Sequence, residues 1–223
     1  MGSITRGLSN NITTGGVILP AGITNSSVSA VTAFSGVSGG TLKLLSTQTA
    51  SNSATISFTT GLDSTYDAYE FHCINIDALS GTNARFQFNL STDGGSNYNV
   101  TKTTTSFYTY HNENDTDQAL GYNTNADLAQ STAFQNITSA GAISTDADSS
   151  ANIILQLFNP SSTTYVKHFI AVSQYFDLSS PAYSTQDYTA GYANTTSACN
   201  AIQFKMISGN FDGIIKLYGV KKS

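Results

Sequence analysis

From about residue 42 onward, apolar and polar positions alternate in short runs separated by clusters of Gly, Asn, Asp and Ser. The runs are "TLKLLS", "ATISFTT", "AYEFHCINIDAL", "ARFQFNLST", "TSFYTYH", "ANIILQLFN", "YVKHFIAVSQYF" and the closing "AIQFKM" and "GIIKLYGV". Each shows a period of two or a brief β-branched and aromatic stretch, the pattern of a strand with at least one buried face. Helical periodicity is nearly absent. The chain therefore reads as eight or more strands in an all-β, antiparallel β-sandwich, jelly-roll-like in its order.

Two segments predict hairpins. In 201–222, Ile202, Phe204 and Met206 alternate with Gln203, Lys205 and Ile207. Ser208-Gly209-Asn210 and Asp212-Gly213 then offer turn chemistry before Ile214, Ile215, Leu217 and Tyr218 resume. In "ARFQFNLSTDGGSNYNV", Phe86 and Phe88 point one way and Arg85, Gln87 and Asn89 the other, with Asp93-Gly94-Gly95-Ser96-Asn97 turning the chain. In "YEFHCINI" the alternation sets Tyr69, Phe71 and Cys73 on one face and Glu70, His72, Ile74 and Ile76 on the other, so both faces are partly covered.

Two stretches break the pattern. Residues 1–40 hold eight glycines among Ser, Thr and Asn, with isolated apolar groups at Ile4, Leu8, Ile12 and Val17-Ile18-Leu19. Apolar groups spaced along a polar strip suit an extended N-terminal arm that lies across a neighbouring subunit. The expected division is thus an arm, 1–40, and a sandwich domain, 41–223. Within the domain, 111–150 is a long interruption in which Leu120, Ala126, Leu128, Ala129 and Phe134 suggest one short helix or an ordered flap, with surface loop around it.

Composition narrows the function. Ser, Thr, Asn and Gly make up roughly two-fifths of the chain and charged residues only 10%, while 12 Tyr and 12 Phe supply the area a sheet core needs. A net charge of −5, with nine Lys and Arg scattered over 223 residues, cannot neutralise a row of phosphates, so no nucleic-acid partner is expected. No apolar run approaches a membrane span, and residues 1–20 lack the basic start and apolar core of a secretory signal. Cys73 and Cys199 stand far apart in strand contexts and read as buried free thiols.

Candidate chemistry is sparse. "HNENDTD" at 111–117 is rich in oxygen ligands but lacks the glycine and terminal glutamate of a calcium loop. The sequence contains no Gly-x-Ser-x-Gly elbow, phosphate loop or HExxH. His72 and His168 sit inside strand runs as structural histidines, and Asp63, Asp67, Glu70 and Asp77 flank a strand as solubilising acids. No catalytic residue, cofactor or metal is assigned, and a non-enzyme is expected. Tyrosines serve as sugar platforms on β-sandwiches, which makes Tyr183, Tyr188 and Tyr192 candidate glycan-binding residues.

The segments "TTGLDSTYDAYEFHCINIDALSGTNARFQFNLSTDGGSNYN", "YHNENDTDQALGYNTNADLAQ" and "ACNAIQFKMISGNFDGIIKLYGV" resemble a family of tailed-bacteriophage virion structural proteins common in phages of marine and freshwater bacteria. The resemblance covers about residues 54–220 and rests on the "LDSTYDAYEF" strand entry, the "STDGGSNYN" turn and the closing "IQFKM…IKLYG" segment. One residue of the family's spacing is missing before Gly213, which tightens the last turn. The resemblance implies a virion component with a β-sandwich body, assembled in the bacterial cytoplasm and bound to other capsid or tail subunits and to its own copies. Low charge and abundant hydroxyls suit wet protein–protein contacts, so a capsid-decorating or tail-attached subunit is the expectation. The second expectation is a host-glycan receptor binder on a tail or head fibre.

Overall fold

The computed structural model describes residues 12–13, 16–17, 41–81, 83–177 and 181–221. The chain divides into two units, Met1–Gly39 and Gly40–Ser223. In the first, β1 (Ile12–Thr13) pairs antiparallel with β2 (Gly16–Val17). The candidate arm residues Ile4, Leu8, Ile18 and Leu19 and the side chains of Ile12 and Val17 lie outside the described residues.

The second unit is an antiparallel β-sandwich. Its strands are β3 (Leu42–Ser53), β4 (Thr55–Phe58), β5 (Ala68–Ala78), β6 (Phe86–Ser91), β7 (Lys102–Asn112), β8 (Gln118–Tyr122), β9 (Gln135–Asn136), β10 (Ala151–Phe158), β11 (Lys167–Asp177), β12 (Tyr183–Ala193), β13 (Ala201–Met206) and β14 (Phe211–Val220). One sheet has eight strands in the order β3-β14-β5-β10-β11-β12-β7-β8, and the other has four, β4-β13-β6-β9. Setting aside the hairpins β7–β8 and β11–β12 leaves eight strands whose chain order is 1-8-3-6 in one layer and 2-7-4-5 in the other. That is the jelly-roll topology, two Greek keys wound together. The two extra hairpins dock side by side beyond β10 and double the width of the larger sheet.

Both predicted hairpins prove to be crossings between layers. β13 belongs to the small sheet and β14 to the large one, and β6 and β7 are split in the same way. The turn chemistry is present where expected. Gly209 adopts φ +79, and a Cβ there would press to 2.6 Å from Ser80 Oγ. Turn residues reverse the chain but do not fix which sheet receives the next strand. All six residues of β6 are buried, so Gln87 and Asn89 do not face solvent; Gln87 Nε2 donates to Asn136 Oδ1 at 2.7 Å and Asn89 Nδ2 to Thr132 O at 2.9 Å. The alternation along β5 also slips. Asn75 has φ +50 and stands at a register irregularity against both β10 and β14, so Ile76 returns to the buried face with Cys73.

Phenylalanines from both layers interlock between the sheets. Phe58, Phe86, Phe88 and Phe204 come from the small sheet, and Phe71, Phe169 and Phe211 from the large one; all are at most 2% exposed. Rings meet across the gap at 5.4 Å (Phe58–Phe71 and Phe71–Phe204), 5.2 Å (Phe86–Phe211) and 5.0 Å (Phe88–Phe169). Most are edge-to-face, the arrangement the ring quadrupole favours. Both cysteines are free and buried.

The added strands are packed differently. Beneath β11, β12 and β7 the inward positions include Ser173, Thr185, Asp187, Thr189, Thr104 and Ser106, all buried. The segment 123–150 covers them, as an ordered flap without helix. Leu128 N donates to Thr104 Oγ1 at 2.8 Å, Gln135 Nε2 to Ala126 O at 2.7 Å, and Gly141 N to Tyr175 OH at 2.9 Å. Asn123, Ile137, Thr138, Ser139, Ile143 and Ser144 are buried as a result, where surface loop was expected.

Candidate interaction face

Among the described residues, none forms a layer over the outer face of the widened sheet. Strand alternation fixes what that face shows. β10 presents Asn152, Ile154, Gln156 and Phe158; β11 presents His168, Ile170, Val172 and Gln174; β12 presents Gln186, Tyr188, Ala190 and Tyr192. On β7 the outward residues are Thr103, Thr105, Phe107, Thr109 and His111, and on β8 Gln118, Leu120 and Tyr122. None of these is Asp, Glu, Lys or Arg.

The strand register lines up a cross-sheet row, His72–Ile154–Val172–Tyr188–Phe107–Tyr122. Phe107 and Tyr188 stack at 4.8 Å with planes 9° apart. Phe107 is 43% exposed, Tyr122 55%, Ile154 46% and Ile170 44%, so the row and its neighbours form one apolar surface. A shallow depression of about 480 Å³ interrupts it, floored by Ala190 and bordered by Phe158, His168, Ile170, Tyr192 and Thr105. A smaller one, about 270 Å³, lies between His72, Ile154 and Val172.

Charge returns at the margins of the face: at one edge Tyr122 OH donates to Asp127 Oδ2 at 3.1 Å, and on the jelly-roll side stands Glu70. His72 Nε2 lies 2.9 Å from Glu70 Oε2, Gln156 Nε2 donates to Glu70 Oε1 at 2.9 Å, and the His72 ring rests 4.8 Å from that of Tyr218. His72 is thus tied into a surface network. His168 packs near Tyr192, with ring centroids 6.2 Å apart.

The candidate glycan tyrosines do not form one group. Tyr188 and Tyr192 share the outer face, Tyr192 at the rim of the larger depression. Tyr183 has the opposite parity on β12 and faces the other way, where its hydroxyl donates to Asp117 Oδ2 at 3.1 Å and its ring meets Tyr110 edge-on at 5.3 Å. The acidic loop at 111–117 closes on itself. His111 Nε2 lies 3.0 Å from Asp115 Oδ1, and Asn112 Oδ1 accepts from the backbone of Thr116 and Asp117.

Sequence reasoning missed Phe107, Ile154, Ile170 and Phe158 as surface residues. Their signal is a run that is apolar in both phases, as in Ile153-Ile154 and Phe169-Ile170-Ala171-Val172. Such a run marks a strand covered on both faces.

Comparison of the chain with protein-family models, curated proteins and solved structures yields no match.

Proposed function

We propose that this chain is a non-enzymatic structural subunit of a tailed-bacteriophage virion, capsid-decorating or tail-attached, which joins other virion proteins and its own copies through the outer face of the large sheet. The observation that carries this reading is the uncharged, apolar outer surface of β10, β11, β12, β7 and β8. Contiguous apolar patches of this kind on soluble proteins mark binding surfaces, and depletion of charge with enrichment of aromatics is the composition of an interface core. Five strands at ordinary spacing make a face about 24 Å wide, and at about 3.3 Å per residue their lengths give roughly 700 Å², close to the roughly 800 Å² that one partner buries in a standard interface. The jelly-roll topology and the resemblance of three sequence segments support the virion setting. Capsid and lectin domains both use this topology, so that part of the support is analogy of fold.

The test is incorporation. Phage particles carrying Ile170→Asp together with Phe107→Asp should assemble with little or none of this subunit, while the isolated variant keeps its β-sheet circular dichroism. Undiminished incorporation of a folded variant overturns the reading.

The glycan-binding reading, on a tail or head fibre, draws on one feature: the depression bordered by Tyr192 and His168, wide enough for a sugar ring to stack. Under it, Tyr188→Ala with Tyr192→Ala abolishes host adsorption without removing the subunit from particles. Normal adsorption by that variant counts against it.

A further inference from the structure

Asn89 on β6 and Lys102 on β7 belong to different sheets and meet in a contact where both have 0% exposure. Lys102 Nζ donates to Asn89 Oδ1 at 2.6 Å and to Val100 O at 2.7 Å. These two acceptors match the two hydrogens of a neutral amine. The amide is held on all sides. Its Nδ2 donates to Tyr98 O at 2.8 Å and Thr132 O at 2.9 Å, and its Oδ1 also accepts from Leu90 N at 2.8 Å. With a carbonyl bond of about 1.23 Å, the amine nitrogen lies roughly 3 to 3.8 Å from Asn89 Cγ, so attack requires that the amine turn its lone pair, in place of a hydrogen, toward that carbon at about 3–3.5 Å.

The geometry points to an intramolecular isopeptide bond between Lys102 and Asn89. Lys102 Nζ, as the neutral amine, attacks Asn89 Cγ, and the Leu90 backbone N–H supports the negative charge that gathers on Oδ1. The Nζ–Cγ bond forms, the Cγ–Nδ2 bond breaks, and Nδ2 departs as ammonia with the proton that Nζ gives up. Nothing is oxidised or reduced. Burial supplies the neutral amine by pushing the Lys102 pKa down to about 7, and burial likewise raises the neighbouring Cys199 thiol to about 11, so that it carries no charge near neutrality to hold the ammonium form. About half the amine is then uncharged near neutrality.

The bond would rivet the small sheet to the large one at the point where the extra strands leave the jelly roll. That position suits a subunit that must hold its layers together under load, but the inference stands on the site's geometry and does not depend on the virion reading.

Intact-mass spectrometry of the full chain, purified and held at about pH 8 where the amine is mostly neutral, should show a species lighter by one ammonia. A succinimide at any Asn gives the same loss, so the linkage is read after proteolysis on the N-terminal side of Asp93. The piece containing Asn89 and the piece containing Lys102 should remain joined in a branched peptide. Lys102→Met should keep the sequence mass. If that variant does not fold, the branched peptide from the unaltered chain decides alone. Two separate pieces at their unmodified masses overturn the proposal.

Discussion

The two halves of the large sheet are packed by opposite means. Under β3, β14, β5 and β10 the small sheet contributes phenylalanines that interlock with Phe71 and Phe211, and few polar atoms enter. Under β11, β12 and β7 the inward positions are largely hydroxyls and a carboxylate, covered by backbone from 123–150. Asp187 is the centre of that second half. Its Oδ2 accepts from Ser139 N at 2.6 Å, Ala140 N at 3.3 Å and Tyr175 OH at 3.0 Å, while its Oδ1 is buried without a partner. An aromatic core gains from area alone, whereas a polar seam holds only where each group finds its partner. The first half therefore tolerates approximate packing and the second depends on particular residues.

That contrast orders the expected effects of substitution. The largest is Phe204→Ala, which removes a ring in contact with Phe58, Phe71, Phe86 and Phe88. It should cost about 3–5 kcal/mol, read as a lowered urea midpoint. Asp187→Ala strands the Ser139 and Ala140 amides and the Tyr175 hydroxyl while relieving a buried charge, so a smaller loss of about 1–3 kcal/mol is expected. Hydrogen exchange should locate it: protection falls in 137–144 and survives in β13 and β6. Uniform loss over both sheets would show that the two halves do not differ in this way.

The hydroxyl pair gives a finer test. Ser106 Oγ and Thr189 Oγ1 lie 3.1 Å apart and buried. Thr189→Val alone should cost about 1 kcal/mol, and adding Ser106→Ala should cost less than the sum of the two single changes, because no unpaired hydroxyl is left behind.

Proton linkage at Asp187 has a fixed sign. Burial outweighs the three hydrogen bonds and raises its pKa above 3.8 in the folded chain. The folded state then binds the proton more tightly than the unfolded state. Between 3.8 and the raised value, this group's contribution to stability falls as pH rises, by at most about 1.4 kcal/mol per pH unit. Thermal unfolding of the wild type against Asp187→Asn across the acid range should show that slope in the first and not in the second. Smallest of all, Ile170→Asp on the outer face should shift stability by about 0.5 kcal/mol or less.

The aromatic half was legible in the sequence because burial there follows alternation: Phe86, Phe88, Phe204 and Tyr69 all lie where a period of two puts them. The sandwich class follows from the same signal, whereas β12 (Tyr183–Ala193) and the short β8 and β9 were not among the strand runs. Pairing did not, since the turns at 92–97 and 208–210 look like hairpin turns but carry the chain from one layer to the other. Asn75 shows a second limit, as one residue at a bulge moves Ile76 to the buried face while Ile74 stays with Glu70 and His72. The polar half was illegible for a plainer reason. Thr104, Ser106, Thr185 and Thr189 have the composition of a solvated face, and only the flap that covers them makes them interior. For the outer face the signal was present, in strands apolar in both phases, as in Ile153-Ile154 and Phe169-Ile170-Ala171-Val172.

Cryo-electron microscopy of the virion tests the central claim most directly. The account predicts density for this jelly roll in which the outer face of β10, β11, β12, β7 and β8 is buried against another subunit, with Phe107, Ile154 and Ile170 in the contact. The same face open to solvent in every copy on the particle would contradict it.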